Sequence, residues 1–238
     1  MKIVITGATS GIGRQLAIDY AQQGHEVWAV GRNEDALTAL QAMGLSTGRV
    51  DLTGREEALT WFAGLKTVDL AILNAGTCEY IDLPAFDSSL VQRVMRANVE
   101  SVAISLEAVL PLLRQSQQAH LAVVGSSAGY LPLPRAEAYG ASKAAVNYMV
   151  ESLRLDLHRE NIAVSLICPG FVQTPLTDRN DFPMPFRVSV AEASRYIRRG
   201  LAKKQAEIHF PRRFTFLLKT FALLPQPLWS WLGKRMVR

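Results

Sequence analysis

Short apolar runs alternate with longer segments of helical periodicity through roughly the first two hundred residues of this chain. The apolar runs predict strands over residues 2–6, 26–31, 46–49, 70–74, 121–125, 163–168 and 207–209. The periodic segments predict helices near 12–23, 34–42, 55–65, 88–114, 139–159 and 191–203. Strict alternation is typical of a parallel sheet with crossover helices on both faces. The pattern therefore predicts the α/β class, with about seven parallel strands in one doubly wound, Rossmann-like domain.

The length and composition fit one domain of this kind. The chain has 238 residues, of which 49% are hydrophobic, enough for a sheet covered on both faces. We expect one α/β domain over 1–210 and a basic, apolar C-terminal extension over 211–238. Cys78 and Cys168 are too few for a disulfide scaffold, and the scattered histidines show no ligand spacing, so we expect no metal.

The start of the chain bears on location. Met1 leads directly into the first apolar run, which leaves no room for the parts of a secretory signal. No stretch reaches the roughly 18 apolar residues of a membrane span. We therefore expect a cytoplasmic protein, and the C-terminal extension raises the further hypothesis of peripheral contact at the inner face of a membrane.

A glycine-rich segment lies between the first predicted strand and the first predicted helix. It reads Thr6-Gly7-Ala8-Thr9-Ser10-Gly11-Ile12-Gly13. Glycines at such a turn let the backbone approach a pyrophosphate, whose charge is met by the helix N-terminus. The spacing Gly-x-x-x-Gly-x-Gly differs from the commoner Gly-x-Gly-x-x-Gly. The segment predicts nucleotide binding, with a purely structural turn as the alternative.

The ends of the next strands suggest which nucleotide binds. Gly31 stands where a site selective for NAD usually has an acid, and the Arg32 that follows could meet a 2′-phosphate. NADP is therefore expected over NAD, although Arg32 could also be a solvated loop charge. Further cofactor contacts are predicted at the ends of the third and fourth strands, although each residue alone could be a turn element: Asp51, Leu52, Asn74, Ala75 and Gly76.

Tyr139 and Lys143 stand four residues apart in a predicted helix, so both side chains can point into one cleft. A nearby cation favours the phenolate and lowers the pKa of a tyrosine. A phenol tuned in this way can exchange a proton with an alcohol or a carbonyl.

Four motifs in register carry a family resemblance: Thr-Gly-x-x-x-Gly-Ile-Gly, Asn-Ala-Gly, Gly-Ser-Ser-Ala-Gly and Tyr-x-x-x-Lys. Together they make the chain resemble the short-chain dehydrogenase/reductase family of NAD(P)-dependent oxidoreductases over about residues 1–210. The resemblance implies a catalytic tetrad of Asn98, Ser126, Tyr139 and Lys143. The family's interval of thirteen residues before the tyrosine selects Ser126, with Ser127 as the alternative.

The resemblance also implies a role for each member. Tyr139 would exchange the proton with the substrate oxygen, and Ser126 would stabilise charge on that oxygen. Lys143 would lower the phenol pKa and hold the nicotinamide ribose, while Asn98 would seat a water, unless it is a solvent-facing helix residue. The segment from Cys168 resembles the family's Pro-Gly loop, which meets the nicotinamide carboxamide. Its candidate cofactor contacts are Pro169, Gly170, Val172 and Thr174.

The substrate side is predicted to be apolar. Residues 175–190 follow the Pro-Gly loop and include Phe182, Met184 and Phe186 among several prolines, which favours a lid over an apolar substrate. Further wall candidates, which could equally be ordinary packing residues, are Tyr80, Tyr130, Leu131 and Leu133.

The end of the chain has a composition of its own. Residues 198–238 contain ten Lys or Arg residues and one acid, Glu207, and Trp229 and Trp231 stand among apolar and basic neighbours. Such a segment is typical of an interfacial helix on anionic headgroups. A helix docked on the protein's own surface and a subunit interface are the alternatives.

These features favour an NADP-dependent oxidoreductase that interconverts a carbonyl and an alcohol of a small, apolar compound, with Tyr139 as general acid/base. The alternative is a non-catalytic dinucleotide-binding sensor or scaffold. Nucleic acid is not expected as a partner, because the positive charge is interleaved with large apolar residues. The family resemblance implies a homodimer or homotetramer.

Overall fold

A single parallel sheet organises the described residues, 1–235, of this computed structural model; residues 236–238, the end of the predicted extension, lie outside them. Within that range the strands are β1 (Lys2–Thr6), β2 (Glu26–Gly31), β3 (Ser46–Arg49), β4 (Leu70–Leu73), β5 (His120–Val124), β6 (Ala163–Pro169) and β7 (Glu207–Phe210). Their order across the sheet is β3-β2-β1-β4-β5-β6-β7, and every neighbouring pair is parallel. The predicted α/β class and doubly wound sheet are confirmed.

Helices connect these strands and continue beyond the last one. They are α1 (Gly11–Gln22), α2 (Glu34–Ala42), α3 (Arg55–Ala63), α4 (Ser88–Met95), α5 (Ser101–Leu113), α6 (Glu137–Asp156), α7 (Val190–Ala202), α8 (Arg212–Ala222) and α9 (Gln226–Lys234). Local chemistry fixes several starts. Asn33 accepts a hydrogen bond from the amide of Ala36 at the start of α2, and Ser189 and Glu192 form a capping box at the start of α7.

Apolar side chains fill both sides of the sheet. On one side Leu16 of α1 and Ile197 of α7 pack in a cluster of buried residues, and on the other Phe62 of α3 and Val146 of α6 do so. Burying each such side chain contributes about 1.5–3 kcal/mol. The strands therefore consist of nearly continuous apolar residues, as in β4, where all residues from Leu70 to Leu73 are buried.

The strand order has a switch point between β1 and β4. From β1 the chain moves outward through β2 and β3, then returns to build β4 on the opposite side of β1. Ligands of doubly wound sheets bind beyond the carboxyl ends of the strands at such a point. The glycine-rich turn after β1 and the Asn74–Gly76 segment after β4 flank it.

The predicted helix over 88–114 is present without a break from Ser88 to Leu113, but it is not a regular α-helix throughout. A π-helical turn, Arg96–Glu100, separates α4 from α5 and contains the buried Asn98. Extra residues in a helical turn commonly mark functional positions, and here the turn directs the Asn98 side chain toward Thr77 after β4. Other boundaries move by a few residues: β4 ends before Asn74, β5 ends before Gly125, and α6 begins at Glu137 and ends at Asp156.

Helices α8 and α9 dock one face on the rest of the protein. Lys219 of α8 forms an ion pair with Glu207, and that carboxylate also accepts a hydrogen bond from the Tyr130 hydroxyl at 2.6 Å. Trp229 of α9 donates its indole N–H to the carbonyl oxygen of Pro132 at 3.1 Å. Own-surface docking, one of the alternatives for the extension, therefore holds for this face. Among residues 1–235, no helix combines the length and the apolar character needed to cross a bilayer.

Candidate active site

A cleft of about 520 Å³ lies at the carboxyl ends of the strands and gathers residues that are far apart in the sequence. Because the strands are parallel, the turns after β1, β2, β3, β4, β5 and β6 all open on this edge. The cleft brings together most of the predicted site residues: Gly7, Thr9, Ser10, Gly11, Ile12, Arg32, Asp51, Leu52, Asn74, Ala75, Gly76, Ser126, Tyr139, Lys143, Pro169, Gly170, Val172 and Thr174. Gly13 and Asn98 do not line it.

The glycine-rich turn is held by the strand beside it. Gly7 and Gly11 have φ of 63° and 51°, in the left-handed region that favours glycine. The Asn74 side chain donates to the carbonyl oxygens of Thr6 and Gly7, both at 3.2 Å. The Thr6 hydroxyl in turn accepts a hydrogen bond from the backbone N–H of Asn74 at 2.9 Å. Asn74 therefore holds the glycine-rich turn in place through these hydrogen bonds and also lines the cleft.

Gly13 supports the turn without lining the cleft. A Cβ at this position would lie 2.3 Å from the Gly7 carbonyl oxygen and 2.5 Å from the Asn74 side-chain nitrogen. Only glycine allows α1 to pack this closely on β1. Gly13 therefore acts on the turn through packing, and its predicted cofactor contact stays a prediction.

The turn has the shape that a pyrophosphate needs. Helix α1 begins at Gly11, so its first amides face the cleft, and among the described residues none of them is capped by the Ser10 side chain. A Cβ at Gly11 would stand 3.1 Å from the Thr174 methyl group across the cleft. The narrow gap and the free amides fit a dinucleotide whose diphosphate lies over the helix N-terminus.

The far end of the cleft, past β2 and β3, has charges of both signs. Thr53 donates to the Asp51 carboxylate from its amide at 3.0 Å and its hydroxyl at 2.8 Å. These bonds, with the charges of Arg32 and Arg96, outweigh partial burial and lower the pKa of Asp51. Arg32 is exposed and has no ion pair among residues 1–235, so its guanidinium can meet an anion from the cleft.

Ser126, Tyr139 and Lys143 come together at the opposite end. Tyr139 and Lys143 lie on one face of α6, with the lysine ammonium 5.9 Å from the centre of the phenol ring. Lys143 is buried and donates to the carbonyl oxygen of Val124 at 3.0 Å. Ser126 follows β5 and is hydrogen-bonded to Tyr139. The three side chains form one hydrogen-bonding site at the edge of the cleft.

Burial governs the protonation of this group. It raises the pKa of Tyr139 well above its usual range, as do the nearby thiols of Cys78 and Cys168, while the hydrogen bond with Ser126 acts in the opposite direction. Burial also lowers the pKa of Lys143 from 10.5 to about 8. Burial therefore outweighs the hydrogen bond that lowers the phenol pKa, and the expectation that Lys143 lowers this pKa stays a prediction. Tyr139 is protonated at neutral pH.

Asn98 lies behind the cleft and connects two of its walls. Its side-chain oxygen accepts from the Thr77 amide at 2.7 Å, and its nitrogen donates to the Thr77 carbonyl oxygen at 3.0 Å and to the Ser142 hydroxyl at 2.9 Å. Ser142 donates to the carbonyl oxygen of Tyr139 at 2.7 Å. Asn98 is fully buried, so the solvent-facing alternative is wrong. These bonds make it a positioning residue for the turn after β4 and for the start of α6.

Sequence reasoning missed several residues that hold the site. Asn147 donates to the carbonyl oxygen of Ser126 at 3.2 Å, and its side chain packs directly against Gly125. The Thr177 hydroxyl donates to the Val172 carbonyl oxygen and fixes the loop after β6. Asn147 could have been found, since it lies a further four residues along the α6 face that carries Tyr139 and Lys143.

A series of four aromatic rings, which we call the aromatic wall, lies outside the set of residues that line the cleft. Tyr80 meets Phe182 with ring centres 5.3 Å apart, Phe182 meets Phe171 at 6.1 Å, and Phe171 meets Phe214 of α8 at 5.3 Å. Tyr139 influences the ionisation of Tyr80, so the series starts near the Tyr139 phenol. The extension was not expected to contribute to this wall.

Among the other wall candidates, Tyr130 points away. Its hydroxyl donates to Glu207 under α8, and its ring contacts Lys219, whose ammonium lies 5.2 Å from the ring centre. Leu131 is buried, and Leu133 is half-buried. Tyr130 therefore serves the docking of α8, as ordinary packing would require.

Comparison with known proteins extends these observations. Residues 1–182 match the family model described as short chain dehydrogenase. An uncharacterized oxidoreductase of Myxococcus xanthus is 35% identical over 98% of this chain and 96% of its own length. The NADP-dependent 3-hydroxy acid dehydrogenase YdfG of Salmonella typhimurium is 31% identical over 72% of this chain and 73% of its own length.

The fold also recurs in solved structures. A short chain dehydrogenase/reductase from Burkholderia phymatum, in complex with NAD, superimposes with a TM-score of 0.82 and 25% identity. The alignment covers 92% of this chain and 91% of that one. The relatives thus include proteins described with NADP and with NAD.

Proposed function

Because the chain belongs to the short-chain dehydrogenase family of oxidoreductases, we propose that it interconverts a carbonyl and an alcohol with NADP(H), using Tyr139 as general acid/base on an apolar substrate. The observation that carries the proposal is the meeting of Ser126, Tyr139 and Lys143 at the cleft edge. A protein that only bound the dinucleotide would have no use for a buried phenol hydrogen-bonded to a serine there.

The chain's own groups divide the work. Tyr139 keeps its proton at neutral pH because burial raises its pKa, and it gives that proton to the carbonyl oxygen in the direction of reduction. Ser126 donates a hydrogen bond to the same oxygen as negative charge develops on it. Lys143 is fixed against the Val124 carbonyl and points its ammonium to the cleft beside the phenol. The nicotinamide, when bound, supplies or accepts the hydride.

The cofactor has a proposed place along the whole cleft. The amides at the start of α1 receive the diphosphate, and the Asn74–Gly76 turn with Lys143 faces the nicotinamide ribose. The loop from Pro169 to Thr174 faces the carboxamide. Arg32 meets the 2′-phosphate, and its lack of an ion pair within the described part of the chain supports NADP over NAD.

The aromatic wall supports an apolar substrate. Tyr80, Phe182, Phe171 and Phe214 offer ring faces and edges in a series that begins near the phenol, and Arg135 contacts only its first ring, that of Tyr80. A compound with an alkyl or aromatic body and one reactive carbonyl suits such a wall.

The proposal is tested by assaying the protein with NADPH against apolar aldehydes and ketones, and by comparing Ser126→Ala with Ser127→Ala. The neighbouring serine is also buried and serves as the matched control. Loss of one donor to the substrate oxygen should lower kcat about 10²–10³-fold in the Ser126 variant alone. Equal turnover by the two variants would contradict the assignment, and NADPH binding without turnover of any carbonyl would favour the sensor or scaffold alternative.

A further inference from the structure

Helices α8 and α9 have a second face, which is largely exposed, although the Phe216 ring contacts that of His209 with ring centres 5.5 Å apart. Leu223 is 86% exposed, Phe216 60% and Trp231 54%. The inward face is fully used, since Thr215 and Leu218 are buried and Lys219 is paired with Glu207. We call the remaining exposed surface the outer face, and it consists of Arg212, Arg213, Phe216, Leu217, Leu223, Leu228, Trp231, Lys234 and Arg235.

The outer face is continuous along α8. At 3.6 residues per turn, the outer-face residues from Arg212 to Leu223 fall within about 140° of the helix circumference. Leu218 and Thr215 fall on the opposite side, where they pack on the protein. The solvent-facing side of an ordinary amphipathic helix is polar. That of α8 instead carries Phe216 and Leu217 together with cations.

The charge of the outer face has one sign. After Glu207 the sequence contains no acidic residue, whereas Arg212, Arg213, Lys234 and Arg235 all lie on the exposed side. No ion pair within residues 1–235 engages any of these four. Arg235 lies over the Trp231 ring, with its guanidinium carbon 3.8 Å from the ring centre. Large apolar groups and unpaired cations thus share one surface.

We propose that the outer face docks on an anionic lipid surface, with α8 and α9 lying along the headgroup region. Phe216, Leu217 and Leu223 would enter the boundary with the acyl chains, and the cations would meet lipid phosphates. Trp231 would sit at headgroup depth, where an indole ring with a polar edge is favoured.

Charge complementarity selects this occupant over others. A second copy that used the same face would offer Arg212 and Arg213 only cations and apolar groups, with no acidic residue to pair with them. A nucleic acid would use the cations but would leave Leu223 and Leu228 in water. An anionic lipid surface would both pair the cations of the outer face and bury its apolar side chains.

Vesicle flotation of the full chain tests the proposal. The probes are vesicles of phosphatidylcholine alone and vesicles of equal parts phosphatidylcholine and phosphatidylglycerol. The protein should float with the anionic vesicles and much less with the neutral ones, and added salt should reduce its binding. Replacing Arg212→Gln and Arg213→Gln together should weaken binding about tenfold or more.

Apolar variants separate lipid insertion from simple charge attraction. Phe216→Ser with Leu217→Ser should abolish flotation, whereas Tyr148→Ser with Leu155→Ser on α6 should not. The two α6 residues are 79% and 78% exposed and provide a matched loss of exposed apolar groups away from the extension. Because all four side chains are at the surface, far-UV circular dichroism should be unchanged in both variants.

Two results would overturn the proposal. One is flotation of the Phe216 and Leu217 variant equal to that of the unmodified protein. The other is no flotation of the unmodified protein with anionic vesicles, and a smaller mass of the variant by light scattering would then make a second copy the occupant. Turnover does not enter this test, so it fails or succeeds independently of the proposed oxidoreductase activity.

Discussion

The Tyr139 end of the cleft and the C-terminal extension each have a lysine that contacts a tyrosine ring, but the two lysines differ in burial and in pairing. Lys143 is buried with its ammonium on a backbone carbonyl, and burial lowers its pKa to about 8. Lys219 is paired with Glu207; burial raises the pKa of that carboxyl, but hydrogen bonds from Lys219 and Tyr130 more than offset this and hold it below its usual value. Burial of Lys143 therefore lowers the stability of the fold, whereas the ion pair of Lys219 helps to hold α8 on the rest of the protein.

The comparison predicts that replacing each lysine by methionine changes the free energy of unfolding in opposite directions. The larger change is expected for Lys143→Met. It should abolish turnover and raise the free energy of unfolding by about 2 kcal/mol, because a buried ammonium is replaced by an apolar side chain of similar length. Urea denaturation at neutral pH measures the change. Lys219→Met should instead lower the free energy of unfolding by about 1 kcal/mol, since its ion pair is partly exposed.

The pH dependence of stability provides a second test of the difference between Lys143 and Lys219. Between pH 8 and 10.5 the unfolded chain binds a proton at residue 143 that the folded chain has released, so this group adds stability as the pH rises. The advantage of Lys143→Met over the unmodified protein should therefore shrink from pH 7 toward pH 9. An advantage that stays constant across this range, or a destabilised Lys143→Met variant, would contradict the assigned burial cost.

A smaller effect is expected at the far end of the cleft, where the free charge of Arg32 contrasts with the paired charge of Lys219. Arg32→Asp should lower kcat/KM with NADPH relative to NADH by about tenfold, because an acid repels a 2′-phosphate and can accept from a ribose hydroxyl. Initial rates with both cofactors give the ratio, and Arg14→Asp, another exposed basic residue, is the control. An unchanged ratio would remove Arg32 from the cofactor assignment.

The sequence was most informative where the relevant spacing is local. Tyr139 and Lys143 share a face because residues four apart on a helix must do so, and the glycine-rich turn is specified by its own residues. The strand pattern also sufficed for the doubly wound sheet, and the family resemblance that the motifs carried is confirmed by the match over residues 1–182.

Features that depend on contacts between distant segments could not be predicted. The π-helical turn at Asn98 is stabilised by hydrogen bonds to Thr77, and no local pattern in the helix marks it. The pKa of Tyr139 depends on burial by several elements. Phe214 closes on Gly170, where a Cβ would lie 2.8 Å from the ring, across a long separation in the sequence.

The central claim is that the Tyr139 hydroxyl transfers the substrate proton at a cleft that holds NADPH. Tyr139→Phe tests it in one experiment: NADPH binding by fluorescence, followed by a single turnover of an apolar carbonyl compound accepted by the unmodified protein. The account predicts unchanged NADPH binding and a turnover rate lower by at least about 10²-fold. A variant that binds NADPH and reduces the carbonyl within a few-fold of the original rate would contradict it.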